Sequence, residues 1–455
     1  MRRRRRFLRA IVWAFLLAAL IPWAIAFWPF KNVSPNSLPV LPEISSKDRL
    51  LVLAPHEDDE TLGVGGILQR ARAAGAAVRL VYLTYGDHNE WAFLMYRKSP
   101  VLTPGVNRRM GGLRRREAEA ATARLGLTPD QRVFLGFPDN GTLDIWTGHW
   151  ADQPPLLSIL TNTRRVPYPD AVAYDRPYKG EEVLDAMKKQ LLAFAPTQIM
   201  VTHPIDSNPD HRAYYLFLQV ALMDLEKIIP TSRVYCYPIH MGPWPRPLGY
   251  EPEARLPFPK ILASDPSSWW DFELTPEETR MKAEAIRTYR SQMADHGYWL
   301  ISFARANELL TAPAATPLQN QVMHESHGVV AGPTDHLQGA AYRETSDGLE
   351  IHFFLSHALQ RELGVACYAF GYRQDKPFGT MPKLRVEWNL HRLRVWDQSA
   401  RVLHHHIQAQ ETAKEVTLTL PWSDLADPQK IFVQVHGIAG GIPVSRTSWQ
   451  ILERS

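Results

Sequence analysis

Cysteine is scarce in this chain of 455 residues: there are two, Cys236 and Cys367. They are too few and too far apart for a disulfide framework or a C-x-x-C metal knuckle, and both are expected as buried structural thiols. Internal repeats are absent, as is any low-complexity tract beyond one arginine run, which excludes repeat and fibrous architectures. A charge excess is also missing. The net charge is only +4, and positions 2–6 and Arg9 alone carry six arginines, so the remaining chain is nearly neutral and offers no nucleic-acid surface. What is present is ordinary globular composition, 45% hydrophobic and 22% charged. The length exceeds what one core usually serves, so two folded domains are expected.

The amino terminus reads as a targeting element. After Arg9 comes an uncharged apolar run at residues 10–30. At about 1.5 Å per helical residue it reaches roughly 30 Å, the thickness of a bilayer core. Arginines before it place the amino terminus in the cytoplasm and the body on the extracytoplasmic side of the inner membrane. The competing reading is a signal peptide cleaved after Ala24-Ile25-Ala26, giving a secreted or periplasmic protein; Arg5-Arg6-Phe7-Leu8 loosely matches a twin-arginine signal. Either way the protein is exported.

Residues 1–31 are therefore expected as anchor or signal, and the Pro/Ser/Asn-rich residues 32–48 as a linker. Between 49 and 310, strand-length apolar runs (49–55, 78–85, 132–137, 198–202, 233–237) alternate with amphipathic helical stretches (61–74, 113–125, 181–195, 211–225, 276–293). This pattern predicts an α/β fold: a Rossmann-like, mostly parallel sheet with helices on both faces. Such sheets bind ligands beyond the carboxyl ends of their strands. Two long stretches, 88–112 and 140–180, are expected as functional loops. A Pro/Ala/Thr-rich linker is expected at 311–328. Alternating short strands over 329–455 predict a smaller carboxy-terminal β-sandwich.

The first strand runs directly into Pro55-His56-Glu57-Asp58-Asp59-Glu60. Four acids crowded beside a histidine repel one another unless a cation or protons intervene. His56 and Asp59, three apart, suit two metal ligands on one turn and leave Asp58 free to handle a proton. The competing reading is a solvated acidic helix start. A second segment, His203-Pro204-Ile205-Asp206-Ser207-Asn208-Pro209-Asp210-His211, also leaves a strand and opens a helix, so it belongs on the same sheet edge. It supplies His211 as a third ligand. Two histidines and one carboxylate with open positions make a catalytic rather than a closed structural site.

These two segments resemble the LmbE-like, or PIG-L, family of zinc-dependent N-deacetylases, whose signatures are Ala-His-Pro-Asp-Asp-Glu and His-Pro-Asp-His. Here Glu57 stands in place of the proline. The resemblance implies Zn²⁺ (Fe²⁺ or another divalent ion being the alternative) on His56, Asp59 and His211, with Asp58 as general base. It extends to Arg114-Arg115-Arg116-Glu117, to Gly136-Phe137-Pro138-Asp139 and to Lys282 with Ser291-Gln292, about residues 50–293 in all. It implies that Arg114 and Asp139 orient the sugar, and Glu60, His203 and Asp210 are expected to support the site. One position departs: the family commonly has histidine where this chain has Asn208. The resemblance gives that histidine a part in holding the oxyanion. An asparagine amide still donates a hydrogen bond, so Asn208 is expected as a catalytic residue beside Asp58. It cannot carry positive charge, however, and loss of an oxyanion donor can cost about 10²–10³ in rate. His203 and His88 are the expected compensating residues.

The implied substrate is an N-acetylated glycan, polysaccharide or glycolipid, and the membrane is expected as a partner through the amino-terminal run. Three other readings compete. A non-haem Fe(II) oxygenase uses the same ligand set but does not need the adjacent Asp58. The second is a catalytically impaired glycan-binding protein marked by Asn208, and the third is an amidase on a non-sugar amide. The sandwich carries Trp388, Trp396, Trp422 and Trp449, which at strand spacing are expected in its core more than on sugar rings.

Overall fold

The computed structural model describes residues 38–97, 103–262, 268–312, 315–319, 324–325, 336–360 and 362–455. The expected anchor at 1–31 lies outside them. Among the described residues no helix is long and apolar enough to cross a membrane.

The first strand, β1 (Arg49–Ala54), is buried on both faces after its first residue, as its continuous Leu-Leu-Val-Leu run requires of a central parallel strand. It is flanked by β2 (Ala77–Thr84) and β4 (Gln198–Thr202), with β3 (Arg132–Phe137) outside β2 and β5 (Arg233–Tyr237) outside β4, all parallel. Two strands absent from the sequence expectation, β6 (Ser268–Glu273) and β7 (Asn307–Ala312), close the far edge antiparallel, in the order β3-β2-β1-β4-β5-β7-β6. The chain therefore moves outward in opposite directions from the β1/β4 pair. A crevice opens where strand order reverses.

The helices are α1 (Asp59–Ala73), α2 (Glu90–Arg97), α3 (Pro104–Arg124), α4 (Thr142–Gly148), α5 (Gly180–Phe194), α6 (Pro209–Leu225), α7 (Pro276–Ile286) and α8 (Arg290–Ile301). The stretch expected as a loop at 88–112 is thus largely helical, in α2 and the first turns of α3. Gly111 and Gly112 weaken helix propensity there, yet Gly111 is required because a Cβ would lie 2.6 Å from the Tyr168 hydroxyl. The stretch at 140–180 does remain mostly irregular after α4.

The carboxy-terminal region is β-rich, with a five-stranded and an eight-stranded sheet that contribute to one buried core. In its strand Leu363–Tyr372, Val365, Cys367 and Ala369 face that core, while Phe370 and Tyr372 face the α/β domain. That alternation is the period-2 geometry of a strand buried on both sides. Trp146, Phe217, Phe370, Phe378, Phe432 and Trp449 form one aromatic cluster across the boundary, with ring centroids 5.2–6.1 Å from Trp146. Leu41 and Ile44 are buried in the α/β core. Thr316–Pro317 pairs with Gln450–Glu453, and His324–Glu325 with Leu337–Glu344. Of the tryptophans of this region, Trp422 and Trp449 are buried, and Cys236 and Cys367 are buried and form no disulfide.

Candidate active site

β1 ends at Ala54, and α1 starts at Asp59, so the segment between delivers His56, Asp58 and Asp59 to the mouth of the crevice. β4 delivers the second segment. Asn208 caps α6, its side-chain oxygen accepting from Asp210 N at 2.9 Å, with Pro209 in the first turn; His211 follows within that turn. The two segments converge on three atoms. His56 Nδ1 lies 3.3 Å from Asp59 Oδ2 and 3.2 Å from His211 Nε2, and His211 Nε2 lies 3.2 Å from Asp59 Oδ2. Zinc with bonds of about 2.0–2.1 Å in tetrahedral geometry separates its ligand atoms by about 3.3 Å. The triangle fits that ion.

Carboxylates behind the ligands fix their tautomers. A carboxylate only accepts, so the ring nitrogen facing it carries the proton and the other presents its lone pair. His211 Nδ1 faces Asp206 Oδ2 at 3.0 Å, which turns Nε2 inward. His56 Nε2 faces Asp139 Oδ1 at 3.1 Å and Asp210 Oδ2 at 3.2 Å, which turns Nδ1 inward. A second possible ligand set, His56 with Asp139 and Asp210, is disfavoured by this accounting. Asp210 already accepts from the main chain of Asn140 and Thr142 and from the Thr142 hydroxyl.

Asp139, expected to orient the sugar, borders the cavity and has one oxygen facing His56 and the other accepting from His88 N at 2.8 Å. It orients the first ligand. Arg114 is buried; it donates to Gly86 O at 3.1 Å and lies 3.5 Å from Asp58 and 3.7 Å from Glu57. It therefore faces the proposed base. Glu60 accepts from the Tyr289 hydroxyl at 2.5 Å and from Thr61 at 2.8 Å. His203 accepts from Ile205 N, stacks on Trp269 and does not line the cavity, whereas His88 does.

Burial raises the Asp58 carboxyl to about 7 against the pull of Arg114. Asp59 is held well below the usual carboxylate range: burial opposes this, but His211 and His56 overcome it. Burial would lower His211, yet Asp206 and Asp59 raise it to about 9.

The distant motifs converge on the same frame. Glu117 accepts from Ser291 N and Oγ at 2.9 and 2.6 Å, and Gln292 accepts from Asn89 at 2.5 Å. Val64 interrupts α1 with φ −139°, and beyond it Gly66 N and Ile67 N donate to Glu308 at 2.7 and 3.0 Å. Lys282 neutralises that carboxylate at 2.7 Å.

A cavity of about 350 Å³ opens over the triangle. His56, Asp58, Asp59, Arg114, Asp139 and Asn208 border it, with Asn140, His240, Gln292, His296 and Trp299 also in its wall. His240, Asp206 and Trp299 were not singled out from sequence. The one available signal was His240 following the carboxyl end of an expected parallel strand. The carboxy-terminal region reaches the site too: Arg446 donates to Asp206 O at 3.0 Å, beside Arg212, which donates to Asp206 O and Ser207 O at 2.8 and 2.9 Å.

The model of the family described as PIG-L, GlcNAc-PI de-N-acetylase, matches residues 51–222. A 1D-myo-inositol 2-acetamido-2-deoxy-alpha-D-glucopyranoside deacetylase of Saccharopolyspora erythraea is 29% identical over 194 residues, 42% of this chain and 58% of the relative. Its counterpart in Actinosynnema mirum is 38% identical over 149 residues, 33% of this chain and 47% of the relative. This chain thus spans about half the length of these relatives. Among solved structures, the N,N'-diacetylchitobiose deacetylase of Pyrococcus horikoshii aligns at 18% identity over 56% of this chain and 76% of that one, with a TM-score of 0.35.

Proposed function

We propose that this chain, which carries a PIG-L family deacetylase domain at residues 51–222, hydrolyses the N-acetyl group of an N-acetylated sugar in a glycan, polysaccharide or glycolipid. One observation carries the reading: the 3.2–3.3 Å triangle of His56, Asp59 and His211 at an open cavity, with Asp58 beside it. A zinc ion held by those three residues would bring the pKa of a bound water toward roughly 7. Asp58 takes the proton of the attacking water and returns it to the departing nitrogen, releasing acetate and a free amine. Arg114 faces Asp58 and sets its position. Asp206, Asp139 and Asp210 hold the ligand imidazoles in register.

The test is acetate release by the full chain from N-acetylglucosamine, N,N'-diacetylchitobiose, an N-acetylglucosaminyl lipid and a non-sugar acetamide. Chelation abolishes release, zinc restores it, and Asp58→Ala loses it. Release that survives both chelation and Asp58→Ala sinks the hydrolytic reading, and exclusive turnover of the non-sugar acetamide sinks the sugar assignment.

We also infer that the apolar run at 10–30 holds the body outside the cytoplasm, at the inner membrane. Membrane fractionation with N-terminal sequencing checks this, cleavage after Ala26 being the outcome that replaces the anchor by a signal peptide.

A further inference from the structure

β5 brings a third histidine to the cavity. His240 follows that strand by three positions, and its main chain is held twice: its N–H donates to Asp206 Oδ2 at 2.9 Å, and its carbonyl accepts from Ser207 N at 3.1 Å. Its ring stacks on Trp299, with centroids 5.0 Å apart and planes 10° apart, and stands 4.9 Å from the His211 ring. Trp299 is fixed in turn by its indole N–H to Trp244 O at 2.9 Å. Among the described residues nothing hydrogen-bonds either ring nitrogen of His240, yet the ring lines the cavity with His56, Asp58 and Asp59. Asn208 also borders the cavity; its side-chain oxygen caps α6 and its main-chain N–H donates to Asp206.

We propose that His240 is a catalytic residue whose ring N–H holds the developing oxyanion of the acyl group, a role that rests on the deacetylase reading. A donor fixed before the reaction needs no reorganisation as charge develops, which is what makes such groups effective. Stacking and two main-chain hydrogen bonds fix this one. Acetate, the product carrying the same acyl carbon, probes the position without knowledge of the sugar.

The zinc-loaded full chain is titrated calorimetrically with acetate, and zinc affinity is measured separately. His240→Phe keeps the stack on Trp299 and removes the donor. It is expected to weaken acetate binding about tenfold or more, the scale of a hydrogen bond to a charged group, with zinc affinity unchanged. His240→Gln retains most of the affinity. On any acetamide that is turned over, His240→Phe lowers kcat about 10²–10³-fold with little change in KM. Three results overturn the proposal: no acetate binding by the unaltered protein, unchanged binding or turnover in His240→Phe, or a parallel loss of zinc affinity. A protein that turns over no acetamide but loses acetate binding in His240→Phe overturns the deacetylase reading and leaves the donor assigned.

Discussion

One carboxylate does an unusual share of the organising. Asp206 is buried and accepts from His211 Nδ1, His240 N and Asn208 N, so a single side chain sets a ligand, a cavity wall and a helix cap. Carboxylates behind metal-bound histidines typically contribute 10–100-fold to metal affinity. Asp206→Asn is expected to weaken zinc binding by about that factor, measured by competition with a chromophoric chelator, whereas Asp58→Asn leaves zinc bound and lowers kcat by about 10²–10⁴. Equal zinc affinity in Asp206→Asn and the unaltered protein would show that the ring is held by other means. At this scale the sequence was informative where chemistry is written in short spacings. His56, Asp58, Asp59 and His211 sit in two motifs, each at a strand end, and both could be read without a fold. Asp206 was visible only as an acid in a loop, and the contact of Asp139 with His56 could not be read, because it is set by how β1 and β3 stand across β2. His240 carries no motif of its own.

Secondary structure tells a similar story. The five parallel strands match their expected positions because continuous apolar runs leave little freedom of assignment. The antiparallel edge was missed: β6 is a short Trp-rich segment, and β7 abuts a stretch read as linker. The expected single helix at 276–293 divides into α7 and α8, with Arg287–Tyr289 between them. The interruption of α1 at Val64 has a cost that Glu308 removes by accepting two main-chain N–H groups, and Lys282 compensates that buried charge. Lys282→Met leaves the carboxylate uncompensated and is expected to destabilise the fold by about 3–5 kcal/mol. Denaturant titration measures this, and a loss below about 1 kcal/mol would place the pair in water rather than in the core.

Across the whole molecule, the two regions are joined by packing rather than by a tether. Trp146 from α4 sits against Phe370, Phe378, Phe432 and Trp449 of the carboxy-terminal region. Truncating a buried tryptophan costs about 3–5 kcal/mol, so Trp146→Ala should lower the midpoint of one cooperative transition. Two resolved calorimetric transitions in the unaltered protein would argue against shared stability. Lys383 lies buried at the same boundary, where burial lowers its pKa to about 7, and donates to Met381 O at 2.9 Å. Its folded-state pKa is below the unfolded value of 10.5, so the cost of burying the charge is full below pH 7 and is relieved as pH rises from 7 toward 10.5. The stability of Lys383→Met relative to the unaltered protein should therefore fall between pH 6 and pH 10, and a difference independent of pH would mean the ammonium is not desolvated.

The arginine clamp on the 205–207 main chain has a thermodynamic corollary. Arg212 and Arg446, one from each region, hold the carbonyls around Asp206, so the ligand loop is ordered by folding itself. Metal uptake then resembles closing a rigid socket rather than condensing a chain: its heat-capacity change should be small, and its enthalpy nearly constant with temperature, unlike that of sites which fold around their ion.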